Sequence, residues 1–125
     1  MLGGEGEMTK QWVCWENYTY MQLAKEAGAV IVQLEHRFFG RNKNMTDLSV
    51  PNLRLLTPEQ ALADAASFIA GWPSTPQANL SSNVRWVAFG GSYPGSLAAW
   101  LRVKYPQATV GAIASSAGLL PKVSF

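Results

Sequence analysis

Apolar positions in this chain fall into two rhythms. Short, nearly continuous runs of β-formers appear at Ala29-Val30-Ile31-Val32-Gln33-Leu34, Val84-Arg85-Trp86-Val87-Ala88-Phe89 and Thr109-Val110-Gly111-Ala112-Ile113-Ala114. Each has the length of a strand, and the first reads as one buried on both faces. Between the runs, apolar residues recur at three and four. Tyr20, Leu23, Ala24 and Ala27 share one face of a helix expected over Glu16 to Ala27 and closed by Gly28. Ala61, Leu62, Ala65, Phe68, Ile69 and Trp72 trace a second stripe, opened by the capping box Thr57-Pro58-Glu59-Gln60 and stopped between Gly71 and Pro73. A third helix is expected from near Pro94 or Gly95 to about Tyr105, before Pro106.

Met1 to Gly4 reads as the end of a strand cut in mid-element, followed by a glycine-rich loop. Residues 41–56 are polar without period and read as a surface loop, and residues 74–83 as a linker rich in Ser, Pro and Asn. The order is therefore β-α-β-α-β-α-β. Such alternation predicts an α/β fold: a parallel sheet with helices on both faces and a site beyond the carboxyl ends of the strands. Three loops converge there, at residues 3–6, 35–40 and 90–95.

The third of these carries the candidate chemistry. A β-forming run stops at Gly90-Gly91, Ser92 follows, and within three residues the pattern turns helical. This is the shape of a nucleophile elbow, in which a sharp reversal lifts a serine hydroxyl above the sheet and leaves no room for side chains beside it. Gly90 and Gly91 are expected to supply that room. The N-terminus of the next helix points its free N–H groups at the place where an oxyanion forms during acyl transfer. Ser92 is the candidate nucleophile and the Tyr93 backbone N–H one oxyanion donor. The match to Gly-x-Ser-x-Gly is shifted, because Pro94 fills the fifth position and the glycine comes at Gly95. Two other readings of the local pattern stay open. One is a plain tight turn; the other is a phosphate loop, against which Ser96 stands where the motif needs lysine.

Composition narrows the class. At 125 residues, 48% hydrophobic and 14% charged, the chain has material for one globular domain. A net charge of +2, with scattered basic residues, gives no patch for nucleic acid or a membrane surface. No apolar run reaches the length of a membrane span. No clustered His, Cys or carboxylate spacing suggests a metal, and no cofactor is expected. Asn17-Tyr18-Thr19, Asn44-Met45-Thr46 and Asn79-Leu80-Ser81 are three glycosylation sequons among six asparagines, which favours the secretory route. The single Cys14 is either a buried thiol or half of a bridge to a segment outside the chain.

Four ordered motifs carry a resemblance over nearly the whole chain: Glu-His-Arg-Phe-Phe-Gly at 35–40, Asn-Leu-Arg-Leu-Leu-Thr-Pro-Glu-Gln-Ala-Leu-Ala-Asp at 52–64, Gly-Gly-Ser-Tyr-x-Gly-Ser-Leu-Ala-Ala-Trp at 90–100 and Ala-Ser-Ser-Ala at 114–117. They resemble the family of lysosomal Pro-Xaa carboxypeptidase, dipeptidyl peptidase II and thymus-specific serine protease, its thymus-type and invertebrate members most of all. The resemblance implies secreted or lysosomal glycoproteins that cut peptide bonds, often after proline or at a chain end. It implies a Ser-Asp-His triad on an α/β-hydrolase core, with residues 1–125 as the N-terminal part of that catalytic domain. Its substrate is a peptide, and a homodimer of the full-length protein is compatible with it.

By the same resemblance Ser92 is the nucleophile, and the backbone around Gly4 and Glu5 is the second oxyanion donor. Glu5 is alternatively a counter-charge for a substrate amine or a brace for Arg37 or for its own loop. The triad aspartate and histidine would lie downstream of Phe125, and the chain reads as a fragment. His36, the sole histidine, precedes the serine and is expected to be structural, bonded to loop backbone; Asp64 is expected to point outward or to pair with a basic residue. Two other functions compete: an esterase or lipase sharing the elbow, and an inactive fragment or binding module without a base.

Overall fold

A computed structural model describes residues 1–41, 47–81, 83–120 and 122. Its regular sheet has two parallel strands, β1 (Val87–Gly91) and β2 (Gly111–Ser115), with Val87 opposite Gly111 and Gly91 opposite Ser115. Two short segments extend it. Leu2 donates its N–H to Phe89 O at 2.9 Å, while on its other side Gly3 N–H reaches Leu34 O at 2.8 Å and Leu34 N–H reaches Met1 O at 3.0 Å. A parallel bridge joins Leu2 to Leu34. Across the sheet the order is thus residues 32–34, residues 1–3, β1, β2. The first segment of the chain lies between the second and the third, so the loops leaving residue 3 and β1 run on from adjacent positions. In open α/β sheets that reversal marks the ligand crevice.

The helices are α1 (Gln11–Cys14), α2 (Thr19–Glu26), α3 (Val50–Leu53), α4 (Pro58–Gly71) and α5 (Tyr93–Lys104), with a 3₁₀ turn over Trp72–Ser74. The α4 stripe packs as its spacing predicts. Thr57 Oγ1 accepts from Gln60 N–H at 3.3 Å, which satisfies one orphan donor of the first turn. Leu62 and Ala65 then enter the core with Ala88 of β1 and Leu97, Ala98 and Leu101 of α5. Phe68, Trp72 and Trp86 pack ring to ring beside it, with centroids 5.6 to 6.1 Å apart.

Three expectations change. The run at 29–34 makes only bridging contacts, because residues 1–3 offer too short a partner for residues 29–31, and Val30 is exposed rather than buried. The opposite face of the sheet is only partly covered: Tyr20 of α2 leans on Phe89 at 6.0 Å, while Leu23, Val87 and Ile113 are exposed. Cys14 is exposed and free, so the buried-thiol reading falls. No described helix is long and apolar enough to cross a membrane.

Candidate active site

β1 ends at Gly91 and α5 begins at Tyr93, so a single residue, Ser92, makes the whole reversal. It does so with φ 60° and ψ −131°, a left-handed conformation that costs an L-residue about 1–3 kcal/mol. The surroundings hold it there from both sides. Ser92 N–H donates to Ser115 O at 2.9 Å, and Ser92 C=O accepts from Ser96 N–H at 3.1 Å. The residue itself is exposed.

The glycines around it divide into those that are needed and one that is not. A Cβ on Gly90 would coincide with the Pro94 carbonyl, and one on Gly95 would come 2.8 Å from Ser115 O and 3.3 Å from the Ala117 Cβ. Only glycine lets helix and strand approach this closely. Gly91 has nothing within 4 Å of the place a Cβ would occupy, so the expectation that both glycines make room holds for Gly90 alone.

Tyr93 is the first residue of α5, where an N–H has no intrahelical acceptor, and Pro94 next to it has no N–H to satisfy. That end also carries the positive pole of the helix dipole. Gly4 lies against the same turn: a Cβ there would meet Pro94 Cγ at 2.8 Å and Cδ at 3.0 Å. The sheet order thus brings the glycine-rich loop and the elbow together. Glu5, exposed on that loop, is near enough for its charge to be felt at the Tyr93 phenol. Burial first, then the charges of Glu5 and Glu59, push this phenol above its ordinary value, which keeps it protonated.

His36 is buried and occupied on both nitrogens. Nδ1 lies 2.7 Å from Arg37 O and Nε2 lies 3.1 Å from the Tyr93 hydroxyl. A carbonyl only accepts, so Nδ1 carries the proton and Nε2 accepts from the phenol. The histidine therefore engages Tyr93 and loop backbone. Arg37 forks onto Asp64 with contacts of 2.7 and 2.6 Å and donates a third hydrogen bond to Leu55 O at 2.9 Å. Asp64 is thus the partner of Arg37. Glu35 accepts from the N–H groups of Met8 at 3.2 Å and Arg41 at 2.7 Å, closing the 36–41 loop on the glycine-rich one.

Two participants carried no signal in the local pattern. The carbonyl of Ser115, at the end of β2, anchors the Ser92 N–H, and Gly118 O accepts from the buried Ser96 hydroxyl at 3.1 Å. The Ala-Ser-Ser-Ala stretch is therefore the far wall of the elbow. Of the sequons, Asn17 and Asn79 are exposed, Asn79 at φ 46°, and Asn44 lies outside the described residues.

Comparisons with known proteins converge on one family. The family model described as serine carboxypeptidase S28 matches residues 1–125. A Caenorhabditis elegans protein with a provisional serine protease name is 52% identical over the full length of this chain, which covers 23% of it. The mouse thymus-specific serine protease is 41% identical over 99% of this chain and 24% of its own length. The human lysosomal Pro-X carboxypeptidase is 41% identical over 92% of this chain and 23% of its own. The chain thus spans about a quarter of the length of the curated relatives it matches. By the family match over every residue and these identities, the chain belongs to the serine carboxypeptidase S28 family.

Proposed function

We propose that the full-length protein is a serine peptidase in which Ser92 forms the acyl-enzyme. The observation that carries this reading is the conformation of Ser92: a non-glycine residue at φ 60°, exposed, at the joint between a parallel strand and a helix N-terminus. In this reading residues 1–125 form the N-terminal part of an α/β-hydrolase catalytic domain, and the sheet order and elbow support that assignment. Ser92 Oγ attacks the scissile carbonyl, and the Tyr93 N–H, with backbone of the Gly4–Glu5 loop, stabilises the oxyanion. This reading takes the base and its aspartate from outside these residues, and the engagement of both His36 nitrogens, with Arg37 and Tyr93, supports that choice for the base.

The substrate is a peptide trimmed at a chain end, with proline beside the cut, as the names of the Pro-X carboxypeptidase relatives suggest. In this reading Glu5 meets a substrate amine, which its exposure on the loop beside the elbow supports. Exposed sequons at Asn17 and Asn79 and the lysosomal relative support a glycoprotein of the secretory or lysosomal route. Turnover by the full-length protein tests the specificity. Release of product from proline-containing peptides, with little from short acyl esters, is expected; the reverse preference would favour an esterase and contradict the reading.

A further inference from the structure

We infer that His36 is a positioning residue for catalysis at Ser92, acting through its hydrogen bond to the Tyr93 side chain. The inference rests on the serine peptidase reading above and adds a residue to it.

An oxyanion donor works only when it is aimed before the charge develops, so whatever fixes the first residue of α5 fixes the hole. Tyr93 supplies that donor from its backbone, at a helix end where few intrahelical bonds restrain the chain. Its side chain provides the missing restraint. The phenol donates to His36 Nε2 at 3.1 Å, and the two rings are tilted 55° to each other with centroids 5.5 Å apart.

His36 can serve as an anchor because it is itself held on several sides. It is 5% exposed, its other nitrogen donates to Arg37 O at 2.7 Å, and the Phe39 ring lies edge-on at 5.4 Å. The next residue, Arg37, is clamped on Asp64 of α4, so the anchor is tied to the helix that forms the core. The Nδ1–H bond also selects the tautomer, since only a neutral ring protonated there presents a lone pair at Nε2. A connected path thus runs from the α4 carboxylate through the loop backbone and the imidazole to the residue beside the nucleophile. Loss of the phenol hydroxyl removes the restraint while leaving the Tyr93 N–H in place, so turnover suffers and substrate binding does not.

The test uses the full-length enzyme. Tyr93→Phe keeps the ring and removes the donor; His36→Ala removes the acceptor, and His36→Gln restores one. The expected result is a fall in kcat of about 10- to 100-fold with KM unchanged in Tyr93→Phe and in His36→Ala. The double variant should be no slower than the worse single one, and His36→Gln should recover part of the loss. If His36→Ala does not fold, Tyr93→Phe still decides. Wild-type kcat in Tyr93→Phe, with only thermal stability lowered, would overturn the inference, and so would additive losses in the double variant. Labelling of Ser92 by a fluorophosphonate separates the two claims. Wild type labelled at Ser92 with unchanged kcat in Tyr93→Phe defeats the positioning role alone, whereas no labelling of Ser92 in wild type defeats the peptidase reading as well.

Discussion

The backbone of Gly90 passes so close to the carbonyl of Pro94 that even a methyl group at Gly90 would occupy the same space. One step along the chain, at Gly91, the space is open. Neighbouring glycines in one motif therefore make opposite predictions. Gly90→Ala should destabilise the full-length protein by more than about 3 kcal/mol or prevent folding, because only backbone can give way. Gly91→Ala should stay within about 1 kcal/mol of wild type. Denaturant melts of the two variants check this, and equal losses would show that the elbow is built differently.

Arg37 and Asp64 form a forked ion pair in which the arginine is mostly buried and the carboxylate about half exposed, at 14% and 47% side-chain exposure. Lysine cannot reproduce the fork or reach Leu55 O at the same time. Arg37→Lys is expected to cost about 1–2 kcal/mol. A double-mutant cycle with Asp64→Asn should give a coupling of about 1 kcal/mol. A coupling near zero would mean the pair is a solvated contact and that the 36–41 loop is held by Glu35 instead.

The Thr109 hydroxyl is the one buried side-chain polar atom without a hydrogen-bond partner among the described residues. Thr109→Val replaces it with a methyl of similar size and should raise stability by about 1 kcal/mol, since an unsatisfied buried hydroxyl is a net cost. Thr109→Ser keeps the hydroxyl, removes the methyl and should lose about 1 kcal/mol. A valine variant less stable than wild type would reveal a partner for the hydroxyl.

The Tyr93 phenol gives a prediction in pH. Burial raises its pKa above 10.0, with Glu5 and Glu59 adding to the effect. The neutral phenol is thus favoured in the folded state. Its contribution to stability is complete below the ordinary tyrosine pKa and is lost as pH rises through the raised folded value. Stability measured from pH 9 upward should fall less steeply in Tyr93→Phe than in wild type. Parallel curves would show that this phenol titrates alike in both states.

What could be read from sequence follows from how local each interaction is. The elbow was legible because glycine, serine and proline act on their own few residues, and α4 because Thr57 and the stripe from Ala61 to Ile69 lie within one helix. The 29–34 run departs from expectation because a strand needs a partner, and pairing depends on how much of residues 1–3 reaches it. Gly91 departs from expectation for a related reason: the space beside a glycine belongs to the packing around it, and of these two neighbours Gly90 faces Pro94 while Gly91 does not. His36 was expected to bond loop backbone, and it does; its second bond, to a hydroxyl 57 positions away, leaves no trace in spacing. The same holds for the Ser115 carbonyl under the Ser92 N–H.

The central claim is that Ser92 is the nucleophile of the full-length protein. The most direct measurement is to treat that protein with a fluorophosphonate and locate the adduct by peptide mass spectrometry. A single adduct on the peptide carrying Ser92, abolished in Ser92→Ala together with peptidase activity, is the predicted result. An adduct on a different serine, or a Ser92→Ala protein that still cleaves peptides at the wild-type rate, would contradict the account.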